Sequence, residues 1–242
     1  IIIVTGSLGI LGITLGDYMT QIISLGTYSS TIWAMLTVIG LSLLNILGIK
    51  QGKTAQNILT LFEVGGILAI IVTGFLVQTP TIDSAGVTPE LPSLGVASLA
   101  MVFVLLTFGG WNEAAYVSAE AIDQRRGILK ALLLGIGLIT LLYLMVNLAF
   151  LHAFGAEKMG QSNALASDLF DIAYGRGSAV IFSAIVVFSC LNSMNATIIF
   201  GSRSSYALGK DWQIFSWIGD WHQSGTPRKA IILQCAIALL LI

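Results

Sequence analysis

LGVASLAMVFVLLTFGGWNEAAYVSAEA, residues 94–121, decides how the rest of the chain is read. From Leu94 to Leu106 it carries no charge. A helix needs about 20 apolar residues to cross ~30 Å of hydrocarbon, and this stretch is long enough. Yet Thr107-Phe108-Gly109-Gly110-Trp111-Asn112-Glu113 interrupts it. Glycine costs about 1 kcal/mol against alanine inside a helix. An unwound turn here frees backbone N–H and C=O groups, which cannot face lipid but can line a cavity or receive a polar ligand. Half-helix ends add dipoles: a C-terminal end attracts a cation and an N-terminal end an anion. Gly109-Gly110 could instead serve only close helix packing. Trp111-Asn112-Glu113 beside the pair favours the broken helix.

The rest of the chain has the same character. It has 242 residues, 56% hydrophobic and 10% charged. A soluble domain carries roughly 25% charged residues. Its natural solvent is therefore lipid. Seven apolar segments are expected to span: Ile1–Leu25, Thr31–Ile49, Asn57–Val77, Leu94–Ala121, Ile128–Phe154, Ser178–Gly201 and the start of another at Ala230–Ile242. Their length excludes barrel strands, which need only about 10 residues and alternate in polarity. The fold class is all-α, a polytopic transmembrane helical bundle. Both ends lie in apolar runs, Ile1–Val4 and Ala236–Ile242, so the expectation is an internal fragment of a longer membrane protein.

Charge fixes the orientation. Alternate linkers hold Lys50, Lys53, Arg125, Arg126, Lys130, Arg203, Lys210, Arg228 and Lys229; the other set holds only Lys158 and Arg176. The positive-inside rule puts the first set in the cytoplasm, so the first segment runs outward. The outer linkers carry Asp83, Glu90, Glu157, Asp168 and Asp171. Within Gln161–Tyr174, Leu165, Leu169 and Ile172 fall at helical spacing and predict a short amphipathic helix across the outer face.

Glu63 stands among Leu61, Phe62 and Val64 in the third segment. A central carboxylate costs about 2.5–3.5 kcal/mol on insertion scales, so it needs a partner in the protein interior. It can bind a proton there, or it can reach water beside Lys53. In the sixth segment Ser189, Asn192 and Ser193 share a helix face, which can coordinate an ion or bond another helix. Asn195 follows them. Asp17 caps or snorkels at the outer side of the first segment. His152 and His222 stand alone, without metal-ligand spacing. Cys190 and Cys235 lie in apolar runs and exclude a disulfide scaffold. No nucleophile–base, metalloprotease or phosphate-loop pattern supports an enzyme, and a net charge of −1 carries no signal for nucleic acid.

Ser202–Asp211, His222 and Gly225-Thr226-Pro227-Arg228 resemble the cytoplasmic loop after the eighth helix of amino acid–polyamine–organocation permeases. Phe108–Asn112, Tyr116-Val117, Glu120 and Arg126 are similar to that family's sixth helix and the loop behind it. Asn45, Gly48 and Gln56 fit its fourth and fifth helices. The order and spacing of these matches cover nearly the whole chain.

The resemblance implies a LeuT-type fold of two inverted five-helix repeats with a midplane substrate site. Residues 1–78 would end the first repeat and 94–242 form most of the second, as one transporter domain fragment running from helix three into helix nine. It implies a substrate site along Leu106, Thr107, Phe108, Gly109, Gly110, Trp111 and Asn112, with backbone carbonyls receiving an α-ammonium. Leu106 stands where relatives often place an aromatic gate, so Phe108 or Trp111 would replace it. Glu63 stands where many sodium-independent relatives carry a lysine. The expected ion-coupling set is Glu63, Ser189, Asn192 and Ser193, with Glu63 either a protonation site or a direct ligand for a cation. No other cofactor is expected beyond H⁺ or Na⁺. Asp123-Gln124 and Leu129 depart from the prolines usual in the loop after Glu120. Gly26–Thr31 has no cysteine, which argues against a disulfide-linked heavy chain. The implied activity is secondary active transport of amino acids, in the plasma (cell inner) membrane. A polyamine or organic amine permease is the near alternative; an ion channel or a non-transporting subunit is the distant one.

Overall fold

The computed structural model describes residues 2–77, 93–110, 113, 124–161, 165–175, 177–223 and 225–242. The described residues are helical, with no strand among them. The helices are α1 (Ile2–Ile22), α2 (Ser29–Leu47), α3 (Ile49–Leu76), α4 (Leu94–Thr107), α5 (Gln124–Gln161), α6 (Leu165–Tyr174), α7 (Ala179–Asp211) and α8 (Arg228–Leu241). A 3₁₀ turn, Gln213–Ile218, precedes α8. Of these, α1, α2, α3, α5 and α7 are long and apolar enough to cross a membrane. The chain is an integral, multi-pass membrane protein.

Lipid lets apolar side chains stay outside, so small and polar residues carry the packing. A Cβ on Gly16 would lie 2.1 Å from the Ser30 carbonyl oxygen, which sets how closely α1 and α2 approach. Gly74 meets Ala149 in the same way between α3 and α5, at 2.8 Å. Gly201 of α7 admits Val4 of α1 and Gln234 of α8. The apolar core joins α1, α2, α7 and α8 through Leu8, Leu15, Val38, Met194, Ile198 and Ile231. Central α7 packs against α1, α2, α3, α6 and α8.

Several boundaries differ from the sequence reading. The third span was expected from Asn57, but α3 begins at Ile49, directly after Gly48. Gly48 has φ +153° and ψ 163°, a conformation essentially confined to glycine, and it replaces a linker with a single-residue break. The sixth span was expected to end at Gly201, whereas α7 continues to Asp211. Its extra turns carry buried Arg203, whose Nη1 donates to the Ile199 carbonyl at 2.7 Å. The short outer helix exists as α6, but its stripe is rotated: Leu169 and Phe170 are buried while Ile172 is exposed. The Tyr174 hydroxyl ties the end of this helix to α3 through Thr73 Oγ1 at 3.1 Å.

Asp17 accepts a hydrogen bond from Ser30 Oγ, which links α1 to α2. At the other end of α2, Arg228 Nε donates to the Ile46 carbonyl in its last turn, where a cation favours the helix dipole.

Candidate functional site

Two places depart from apolar helix packing, and both fall where the sequence points. The first is the break in the fourth segment. α4 ends at Thr107, and Phe108–Gly110 form a turn. At 14 residues α4 covers only about 21 Å, short of the hydrocarbon thickness. Gly110 has φ +88°, the left-handed region that favours glycine, and its carbonyl accepts the Glu113 N–H at 3.0 Å. Helix ends leave their last carbonyls unpaired by the helix itself. Here Tyr143 of α5 donates its hydroxyl to the Thr107 carbonyl at 3.2 Å. The Phe108 ring meets the Tyr143 ring edge-on at 5.3 Å. Thr107 Oγ1 turns back to the Phe103 carbonyl. Gly109 is exposed within the turn. Leu106 lies in the last turn of α4. Trp111, Asn112, Tyr116, Val117 and Glu120 lie outside the described residues, as do Asp83, Glu90 and Asp123.

The second place is the α3–α7 interface. Ser189 Oγ donates to Glu63 Oε1 at 2.8 Å, and Asn192 Nδ2 donates to Glu63 Oε2. Asn192 Oδ1 in turn accepts Gln56 Nε2 at 2.7 Å and Thr60 Oγ1 at 3.1 Å. Phe62 stacks on Phe188 at 4.7 Å beside this cluster. The fold therefore joins Glu63, Ser189 and Asn192. Ser193 is not joined: among the described residues its Oγ makes no bond to Glu63, and its carbonyl receives Thr197 Oγ1 at 2.7 Å. A half-buried carboxylate held by a hydroxyl and an amide can bind a proton or pair with a cation.

Sequence reasoning missed Thr60 and Tyr143, and it did not see Gln56 as a partner of the sixth segment. The signal for the first and third was present. Gln56, Thr60 and Glu63 follow i, i+4, i+7 spacing, one face of a helix, directly opposite the 189/192 face. Tyr143 had only its isolation inside an apolar run.

A sequence profile described as amino acid permease matches residues 1–242. The human b(0,+)-type amino acid transporter 1 is 27% identical over 216 residues, covering 86% of this chain and 44% of that protein. The mouse large neutral amino acids transporter small subunit 2 is 26% identical over 219 residues, covering 86% of this chain and 41% of that protein. The chain thus spans less than half the length of these curated relatives.

Proposed function

The chain belongs to the amino acid permease family, and from that premise we propose that it forms part of a secondary active transporter that carries amino acids by alternating access, coupled to protons through Glu63. The observation that carries this reading is the interruption of α4 at Thr107–Gly110 inside an otherwise apolar segment. Exposed backbone polarity at membrane depth is tolerated only where it lines a cavity or binds a ligand. The C-terminal end of α4 favours a cation, which suits the α-ammonium of an amino acid. Leu106–Asn112 form the substrate segment, and the Phe108–Tyr143 pair is its aromatic wall. The relatives' names, one for large neutral amino acids, support an amino acid over a polyamine.

Glu63, Ser189 and Asn192 are the coupling group, with Ser193 one turn along the same face. Coupling requires that substrate and proton bind the two conformations unequally, since equal affinity shifts no equilibrium. The sites complete themselves only in the whole transporter, for which a plasma (cell inner) membrane location and a small-molecule substrate are proposed. No disulfide-linked heavy chain attaches at Gly26–Thr31, which lacks cysteine. The test is exchange of labelled amino acid by the full-length protein in liposomes. Saturable, substrate-stimulated exchange with a pH optimum is expected, and Glu63→Gln should remove the pH dependence at least about tenfold, on the scale of one lost charge-assisted bond. Conductance without counterflow would make the protein a channel. Exchange driven by Na⁺ and insensitive to pH would overturn the proton assignment.

A further inference from the structure

Beyond Glu63 itself, four side-chain amides form a single file that ends on its carboxylate. Asn45 Nδ2 donates to Asn195 Oδ1 at 2.8 Å. Asn195 Nδ2 donates to Gln56 Oε1 at 2.8 Å. Gln56 Nε2 donates to Asn192 Oδ1 at 2.7 Å, and Asn192 Nδ2 donates to Glu63 Oε2. Every link points the same way, although the residues alternate among α2, α7 and α3. A carboxamide has donors at one end and an acceptor at the other, so the sense of one link fixes the next. An ionised carboxylate accepts only, so an anionic Glu63 requires Asn192 to donate to it, which is the sense the file has. Chains of this kind polarise one another, with gains of roughly 10–30% per bond.

The far end is anchored where α2 meets α3. Asn45 Nδ2 also donates to the Leu41 carbonyl at 2.9 Å, and Asn195 Nδ2 to the Gly52 carbonyl at 3.3 Å. A Cβ on Gly52 would lie 2.3 Å from Asn45 Oδ1, so the start of α3 closes directly onto the first amide. Asn45 and Asn195 are buried and cannot exchange these partners for water.

We propose that Asn45, Asn195, Gln56 and Asn192 are positioning residues that form a one-way relay, orienting the Glu63 carboxylate and carrying its charge state to the α2–α3 junction at Gly48–Gly52. The relay rests on the coupling role given to Glu63 above. When Glu63 takes up a proton on Oε1, Ser189 Oγ can rotate from donor to acceptor, while Asn192 keeps donating to a now uncharged partner. That bond loses its charge assistance, which is about half its strength, and each link behind it loses polarisation.

Few other charges face Glu63. From α7 the ionisable neighbour is Cys190, which feels the carboxylate electrostatically. α2 contains no Asp, Glu, Lys, Arg or His. On α5, Tyr143 is bonded to Thr107, and His152 sits against Phe75, twelve residues and about 18 Å along α3. From α6, Tyr174 is bonded at Thr73, ten residues and about 15 Å along α3, with Asp168 and Asp171 on the same outer helix.

The test is a double-mutant cycle in the full-length transporter, reconstituted in liposomes, between Asn45→Leu and Glu63→Gln. The two residues share no partner, and independent sites have effects on exchange rate that multiply. The relay predicts departure from multiplication by about threefold or more. It also predicts that Asn195→Leu changes the pH profile of exchange, because the carboxylate loses polarised donors. Gly135→Ala on α5, where a Cβ meets nothing within 4 Å, leaves the profile in place. If Asn45→Leu does not fold, Asn45→Ala carries the cycle. Multiplicative effects with an unmoved profile overturn the relay, even where Glu63→Gln abolishes coupling. A non-multiplicative cycle with Glu63→Gln still fully coupled keeps the relay and removes the coupling role.

Discussion

The interface of α3 with α7 and the pair α4–α5 are both made of apolar membrane helices, yet they use their polar groups in opposite ways. Between α3 and α7, side-chain amides and hydroxyls satisfy one another across the helices, and Gly66 brings the backbones close enough for Ile185 to fill the gap. α4 is exposed along its length, and its polar feature is backbone: a helix end, a left-handed glycine and one borrowed tyrosine hydroxyl. Side chains locked in a network resist change of state; an open helix end with few partners is available to something else. The contrast is between a side-chain network that holds helices together and a helix end whose backbone polarity stays open.

The largest expected effect breaks the packed side. Gly16→Leu places atoms into the Ser30 carbonyl and should cost about 3 kcal/mol or more, read as loss of monodisperse protein or a fall in melting temperature in detergent. Gly135→Ala on α5, where a Cβ meets nothing within 4 Å, should be neutral or stabilise by up to about 1 kcal/mol. Equal losses at both positions would erase the contrast. Gln56→Leu comes next. It takes one partner each from Asn192 Oδ1 and Asn195 Nδ2, which keep Thr60 and the Gly52 carbonyl, and should cost about 1 kcal/mol, checked by the same melting measurement.

On the open side, Gly110→Ala forces a side chain into φ +88°, a strain of roughly 1–2 kcal/mol. It should lower exchange turnover while leaving the melting temperature nearly unchanged. A stability loss without a transport loss would place the break among structural features. The smallest effect belongs to an exposed pair. Lys229 hydrogen-bonds Asp220 and, with its charge, holds that carboxyl below its ordinary range. A lowered carboxyl contributes above its ordinary value and loses that contribution as pH falls through the lowered one. Lys229→Ala should therefore lower the melting temperature by no more than a small amount at neutral pH, where the contribution is fully present, and the difference should vanish in strongly acidic buffer.

Much of this was legible in the sequence. Hydrophobic runs placed α1, α2, α3, α5 and α7, though not all of their ends, and Gly109-Gly110 inside Leu94–Ala121 marked where α4 stops. Glu63 was visible as a charge without a solvent, and Ser189 with Asn192 as a polar face without an assigned neighbour. Their meeting was not legible, because periodicity tells which residues share a face and not which face they meet. Ser193 illustrates the limit: it shares the face with Ser189 and Asn192, yet its carbonyl serves Thr197. Ile172 shows the same limit: helical spacing predicted the amphipathic helix, and only packing decided that Leu169 and Phe170 are its buried residues.

The sequence by itself determined the all-α membrane class, the approximate place of the long apolar helices and the two polar anomalies, because those follow from transfer energies and from local backbone cost. Only the tertiary structure decided that four amides from three helices line up in one sense behind Glu63. Hydrogen-bond direction depends on ångström-scale placement of groups far apart in the chain, Asn45 and Asn195 among them. No property of either residue alone contains it.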